Sequence, residues 1–284
     1  DIPFYAALDS ADVWASPKLF NIDSDGKVLG AAGVPPDYFN EEGQLWGMPV
    51  YNWPAMKKAN YSWWLKRIKK NMEMYDLIRL DHFRAFSEYW EVPGDRSTAK
   101  DGSWKTGPGS AFFDALIKEF GALPLIAEDL GEISADVFEL RDRYKLPGMK
   151  VMQFAFGEDI ARSIHTPHNF ENQHCIAYTG THDNNTTVGW YQEDADKDTR
   201  ARLEQYTGKK VTRSNVADVM IKLAYASVAS IAIIPIQDVL NKTAKARMNT
   251  PASVDGNWVW RLKPAEFNEK QQLKLLELVR LYGR

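Results

Sequence analysis

Three acidic residues each follow a short apolar run in this sequence. Asp81 ends the run that begins at Leu77, Glu128 follows Leu123 to Ala127, and Asp183 comes shortly after Cys175 to Thr179. Short apolar runs of this kind are typical of buried parallel strands. Because such strands present their carboxyl ends at one edge of a sheet, we expect the three carboxylates to converge.

Converging carboxylates could break and form glycosidic bonds. Arg79 precedes Asp81 by two residues and so shares its strand face, where its positive charge would favour an ionised nucleophile. Burial and like charge could keep Glu128 protonated as a general acid. A retaining mechanism would place these two carboxyl groups roughly 5 to 5.5 Å apart. Asp183, with His182, would hold sugar hydroxyls and stabilise positive charge at the reacting carbon.

Two other uses of these residues are considered. His82, Asp129 and His182 each adjoin one of the acids and could supply metal ligands. Neighbouring residues on a strand point to opposite faces, however, so each pair offers one inward group at most, and we predict neither a metal nor another cofactor. A noncatalytic glucan-binding module would also account for aromatic loops, but it has no need of three acids at strand ends.

Strands and helices alternate along most of the chain. Six strands are predicted near residues 2, 78, 125, 151, 177 and 233, the first covering Asp1 to Leu8. Helices are predicted over residues 61–74, 110–120, 134–144, 196–205, 215–226 and the tail from 264. This order predicts an α/β fold with a parallel sheet, either an incomplete barrel or a doubly wound sheet.

Two long connections interrupt the alternation. Residues 9–53 show little periodicity, and a second loop is predicted over 92–109. Within the first, residues 33–53 contain Pro35 and Pro36, which stiffen the chain, and two glycines that permit tight turns around Trp46. We interpret this segment as a lid or substrate-binding loop.

Composition limits the partners and the compartment. The chain has 284 residues, of which 44% are hydrophobic, a net charge of -3 and no long basic run, so neither nucleic acid nor a membrane is expected as partner. Its single cysteine, Cys175, excludes an intrachain disulfide and fits a reducing compartment. The absence of a recognisable signal peptide predicts a cytoplasmic protein. The opening on Asp1, followed by a strand-like segment, leads us to expect a portion that begins in mid-fold.

Eleven segments in order along the chain resemble the 4-α-glucanotransferase family, glycoside hydrolase family 77 of the α-amylase clan. They are Asp9–Trp14, Ala32–Phe39, Gly43–Gly47, Ile78–Phe86, Tyr89–Pro93, Leu125–Gly131, Leu146–Phe156, Tyr178–Thr187, Pro235–Leu240, Ala246–Asn249 and Gly256–Arg261. Together they cover nearly the whole chain up to Arg261.

The resemblance implies an architecture. Residues 1–284 would form the C-terminal portion of a (β/α)8 TIM barrel, containing strands 3 to 8, with a substrate-binding loop at about 30–54. Family members carry a further N-terminal portion with the first two strands, which we expect another segment or chain to supply.

The resemblance also implies a reaction and roles for residues. The family transfers α-1,4-glucan segments from a donor to the 4-OH of an acceptor glucose or maltodextrin, with maltodextrins and oligosaccharides of starch or glycogen as substrates. An α-glucan hydrolase of the clan and an inactive glucan-binding fragment are the alternatives. The compartment would be the cytoplasm, or the plastid in a plant. The implied roles are nucleophile for Asp81, general acid/base for Glu128, transition-state stabiliser for Asp183, and substrate binding for Arg79, His182, Asp37, Trp46 and Asn249.

Overall fold

The computed structural model of the chain describes residues 1–36, 40–131 and 133–284. They form two compact units, Asp1–Gly148 and Met149–Arg284. Both units combine helices with β-sheets, which confirms the predicted α/β class. In the described part of the chain, no helix has both the length and the apolar character needed to cross a membrane.

The first unit contains six strands and five helices among its described residues. The strands are β1 (Gly30–Val34), β2 (Gln44–Pro49), β3 (Ile78–Leu80), β4 (Glu88–Pro93), β5 (Ser103–Thr106) and β6 (Leu125–Ala127). The helices are α1 (Ala11–Ala15), α2 (Trp53–Lys58), α3 (Ser62–Met72), α4 (Gly109–Phe120) and α5 (Ala135–Arg143), with 3-10 turns at Pro17–Leu19 and Phe83–Phe86.

The parallel pair of β3 and β6 carries two of the predicted acids at its carboxyl ends. Ile78 is opposite Leu125 in this pair. On β3, Ile78 and Leu80 are buried, and Arg79 between them faces the other way because side chains alternate along a strand. The strands predicted near residues 78 and 125 are therefore confirmed. The prediction of a strand over Asp1 to Leu8 is wrong: this segment forms only a single parallel bridge, from Ile2 to Leu80. Pro3 has no N–H to donate, so the ladder of hydrogen bonds cannot continue past it.

An antiparallel sheet lies where the sequence predicted irregular loops. Its strand order is β2-β1-β4-β5, so both predicted loops, 33–53 and 92–109, contribute strands. The pattern was missed because β1 is made of small residues and has no alternation of apolar and polar side chains. The small residues have a packing reason: a Cβ at Gly33 would lie 2.6 Å from the carbonyl oxygen of Gln44 on β2.

Aromatic rings from the helices fill the core of the first unit. Trp64 on α3 and Phe112 on α4 both contact Phe86, with ring centroids 5.6 Å and 4.8 Å away, and all three side chains are almost fully buried. Burying side chains of this size is a major contribution to stability. The core therefore fixes the turn after β3, which carries Phe86.

The second unit contains a three-stranded sheet and five helices among its described residues. The strands are β7 (Gly148–Val151), β8 (Cys175–Tyr178) and β9 (Ile231–Ile233), in the order β7-β8-β9 with β8 and β9 parallel. The helices are α6 (Thr187–Gly189), which continues as a π turn over Trp190–Asp194, α7 (Lys197–Thr207), α8 (Val216–Ala226), α9 (Ile236–Val239) and α10 (Glu269–Tyr282). Short 3-10 turns occur at Met152–Phe154, Pro167–Asn169 and Ala244–Ala246. The strands predicted near residues 151, 177 and 233 and the helices α7, α8 and α10 are confirmed.

Candidate active site

Asp81 lies at the end of β3 in an ion pair with Arg79. The Nη1 atom of Arg79 is 3.1 Å from Oδ1 of Asp81, as expected for two residues on the same strand face. The same guanidinium donates to both carboxylate oxygens of Asp1, at 2.9 Å and 2.8 Å. Only 12% of the Arg79 side chain is exposed, so the cation lies between two carboxylates with little access for water.

Glu128 follows β6 and makes four hydrogen bonds to backbone groups, three of them within β3 and the turn after it. Its N–H donates to the carbonyl of Leu80 (3.1 Å), and its carbonyl accepts from the N–H of Phe83 (3.2 Å). Its carboxyl oxygens accept from the N–H of His82 at 2.8 Å and from that of Leu130 at 3.0 Å. Three of these bonds come from the segment that carries Asp81, so the two acids belong to one rigid structure.

Burial raises the pKa of Glu128 to about 7, against the ordinary value of 4.5. The value of about 7 already includes a smaller increase from the charge of Asp81 and the opposing effects of Arg79 and of two backbone N–H donors, which lower this pKa. A carboxyl group with a pKa near 7 can donate a proton in one step and accept one in the next at neutral pH. The sequence-based expectation that burial and like charge act on Glu128 is thus confirmed.

The ring of His82, the residue after Asp81, packs against that of Trp46. His82 has a left-handed backbone, with φ of 49°, and its ring lies 5.0 Å from that of Trp46. Burial, assisted by the charge of Arg84, lowers the pKa of His82 to about 3, so its ring is neutral. Trp46 lies on strand β2, so the prediction of an irregular loop at this residue is wrong. Asp37, predicted to share the substrate loop, lies outside the described residues.

Asp183, His182 and Asn249 are in contact in the second unit. Asn249 donates from Nδ2 to Oδ1 of Asp183 at 2.6 Å, and Nε2 of His182 is 3.3 Å from the other carboxylate oxygen. The backbone N–H of Asn249 also donates to the carbonyl of His182. The structure therefore brings together the three site residues predicted for this part of the chain.

Polar side chains, two of them buried, hold the segment that carries Asp183. Arg247 donates to the carbonyl of Asp183 at 2.7 Å, and Gln153 donates to that of Asn185 at 2.9 Å. Asp238, which is 1% exposed, accepts from both the N–H and the hydroxyl of Thr187 at 2.7 Å. Sequence reasoning did not single out Arg247 or Asp238, although both lie in segments that carried the family resemblance.

The described part of the chain does not bring together the residues that a metal site would need. A protein metal site needs several His, Cys, Asp or Glu ligands at one point. Within residues 1–36, 40–131 and 133–284, no three such residues converge in a way that could hold an ion.

The fold and the candidate site together indicate the class of protein: an α/β protein with carboxylates at the carboxyl ends of its strands as candidate catalytic groups. The model of the family described as 4-alpha-glucanotransferase, glycoside hydrolase family 77, matches residues 1–267. The chain belongs to this family.

Individual relatives agree with the family match. The chain is 46% identical over its whole length to a 4-alpha-glucanotransferase of Synechocystis, of which it covers 56%, and 44% identical to the chloroplastic/amyloplastic enzyme of Solanum tuberosum, of which it covers 49%. Among solved structures, the amylomaltase of Streptococcus agalactiae in complex with acarbose matches all of the chain, with a TM-score of 0.94 at 40% identity, and the chain covers 57% of it. The chain thus spans about half the length of the curated relatives it matches.

Proposed function

We propose that the chain carries the reacting groups of a 4-α-glucanotransferase, which moves an α-1,4-glucan segment from a donor to the 4-OH of an acceptor glucose or maltodextrin. The observation that carries the proposal is the pair at the ends of β3 and β6: Asp81 beside a guanidinium, and Glu128 with a pKa of about 7. Family membership supports the choice of α-glucan as substrate. Maltodextrins and oligosaccharides from starch or glycogen are the proposed substrates.

In the first half of the proposed reaction, Asp81 is the nucleophile. A carboxylate oxygen of Asp81 attacks C1 of the donor glucosyl unit, and the bond from C1 to the glycosidic oxygen breaks. Glu128 gives its proton to the departing oxygen, which leaves as the 4-OH of the released sugar. Arg79 holds Asp81 by the ion pair described above.

In the second half, the roles of Glu128 reverse. Its carboxylate accepts the proton of the acceptor 4-OH while that oxygen attacks C1 and displaces Asp81. Two inversions at C1 retain its configuration. We assign Asp183 to stabilising the positive charge that develops at the sugar ring, together with His182 and with Asn249, which fixes one oxygen of the Asp183 carboxylate.

Transfer requires that a sugar hydroxyl compete with water. Water exceeds millimolar sugar by about four powers of ten, so preference for the acceptor needs about 5.5 kcal/mol. We propose that the substrate-binding segment at about 30–54 provides part of it, with Trp46 as a flat apolar contact for the acceptor and Asp37 as a polar one. The position of the Trp46 ring beside His82 supports this assignment.

We further propose that residues 1–284 are the C-terminal portion of a (β/α)8 barrel, containing strands 3 to 8. The coverage of 57% of the Streptococcus agalactiae amylomaltase supports this proposal. The remainder of the barrel would come from another segment or chain. We propose the cytoplasm as the compartment, or the plastid in a plant, where the relatives include a chloroplastic/amyloplastic enzyme.

The test is disproportionation of maltotriose. The chain is assayed alone and after addition or fusion of the part of the Synechocystis relative that it does not match, a combination called here the completed protein. We expect glucose and longer maltodextrins from the completed protein and none from its Asp81→Asn variant. Release of glucose without longer products would identify a hydrolase instead. Binding of maltodextrin with no turnover by the completed protein would leave only a binding role.

A further inference from the structure

The loop formed by residues 249–258, called here the 249–258 loop, presents an aromatic side chain to the Asp183 cluster. The indole of Trp258 lies 5.2 Å from the ring of His182, and His182 in turn contacts the carboxylate of Asp183. About half of Trp258, 51%, is exposed. The apolar indole ring of Trp258 is thus exposed to solvent, and the ring of His182 lies between it and the carboxylate of Asp183, for which sugar binding is proposed.

The backbone of Trp258 is in a conformation that L residues seldom adopt. Its φ is 61°, in the left-handed region that favours glycine. Bulky residues persist there only where the surroundings determine the conformation, and such positions cluster at ligand-binding sites. At this position glycine would adopt the backbone conformation without steric strain, so the presence of tryptophan points to a use for its ring.

Several hydrogen bonds hold the backbone of the 249–258 loop. Asn257 accepts at Oδ1 from the N–H of Thr250 (2.9 Å) and donates from Nδ2 to the carbonyl of Ser253 (2.8 Å). The N–H of Trp258 donates to the carbonyl of Met248 at 2.7 Å, which closes the loop at its base. The backbone that carries the indole is therefore held in place, so a ligand has only the side chain of Trp258 to order on binding.

The chemistry of this ring suits a sugar rather than an anion or a metal. The flat face of an indole packs against the C–H groups of a pyranose, and its edge tolerates water and hydroxyls. We infer that Trp258 is a stacking platform for a glucosyl unit next to the unit that His182 and Asp183 bind. The inference rests on the function proposed above and extends it by one binding contact.

The experiment measures binding of maltoheptaose by calorimetry to the completed protein in an Asp81→Asn background, where no turnover occurs. Trp258→Gly removes the ring and suits the left-handed backbone. We expect binding about tenfold weaker, or 1.4 kcal/mol, with a melting temperature equal to or above that of the parent. Trp258→Phe keeps an aromatic face and should bind within about threefold of the parent.

Val259→Ala is the matched control, because Val259 is the next residue and is 69% exposed. It should leave binding unchanged. Maltoheptaose binding by Trp258→Gly within about twofold of the parent would overturn the inference, as would equal weakening by the Phe and Gly variants, since either result removes the ring face as the contact. A parent that binds no maltoheptaose would overturn the proposed function itself.

Discussion

The raised pKa of Glu128 has a measurable effect on stability, which Glu128→Gln isolates. Raising a carboxyl pKa from 4.5 to about 7 corresponds to about 3 kcal/mol, at 1.36 kcal/mol for each pH unit. Because the folded-state pKa lies above that of the unfolded chain, the ionised carboxyl opposes folding. The cost is absent below pH 4.5, grows between pH 4.5 and about 7, and is complete above that range.

The glutamine variant carries a cost of its own that does not depend on pH. The carboxyl oxygens of Glu128 accept from the backbone N–H groups of His82 and Leu130, and an amide has only one oxygen for the two donors. Leaving one buried donor without an acceptor costs about 1 to 3 kcal/mol. The quantity to compare is therefore the change with pH in the difference between variant and parent, since this constant cost cancels.

The assay is urea unfolding of the parent and Glu128→Gln from pH 4.5 to pH 8, followed by tryptophan fluorescence. We expect the free energy of unfolding of the variant, relative to the parent, to rise by up to about 3 kcal/mol across this range. Partial contact of Glu128 with solvent makes this an upper bound. Glu119→Gln, at an exposed position on α4, is the control and should show no such rise. The same difference at both ends of the range would refute the reasoning.

Three further predictions concern other residues. Trp46→Ala in the completed protein should raise the ratio of hydrolysis to transfer on maltotriose, because the proposed apolar contact for the acceptor is lost. The ratio is measured by chromatography of the products, and an unchanged ratio would contradict the proposed role of Trp46 in acceptor binding. Burial and the charge of Lys150 lower the pKa of His165 to about 4, so protonating this residue opposes folding and the free energy of unfolding falls as pH drops from 6.5 toward 4. Between pH 7 and pH 4.5 the free energy of unfolding of His165→Asn, measured by urea unfolding, should fall by about 2 kcal/mol less than that of the parent. Parallel pH profiles of the two proteins would contradict this prediction. Asp238→Ala removes the acceptor of three hydrogen bonds from Thr179 and Thr187 and should lower the free energy of unfolding by about 3 kcal/mol, whereas Asp255→Ala on the surface should change it little.

Local patterns predicted the parallel strands and the acids at their ends. Apolar runs at residues 77–80 and 123–127 give β3 and β6, and the two-residue spacing of Arg79 and Asp81 gives their ion pair. These features depend on residues close together in sequence. The direction in which the pKa of Glu128 shifts also followed, because burial after the fully buried strand β6 disfavours its ionised form. Burial does not follow from this position alone, since 40% of the Asp81 side chain at the end of β3 is exposed.

Contacts between distant residues could not be predicted in the same way. Strand β1 pairs with β4 about 60 residues later, and its small side chains give no periodic signal before that partner is known. The contact between Asp1 and Arg79, and the place of Trp258 beside His182, likewise depend on how the chain returns on itself. Sequence motifs identified the segment containing Trp258 but gave no direction for its ring.

The backbone bonds between Glu128 and the turn after β3 have a consequence for how this site can diversify. In enzymes that break glycosidic bonds with two carboxyl groups, the separation of these groups determines whether the configuration at the reacting carbon is retained or inverted. Here backbone groups of the residues on either side of Asp81, rather than surrounding side chains, link its segment to Glu128. Under the proposed function, we expect substitutions at surrounding positions to alter acceptor choice or sugar length while the anomeric configuration of the product stays constant. Under the proposed function, directed evolution of this site should change which glucans are joined far more readily than the type of linkage it makes.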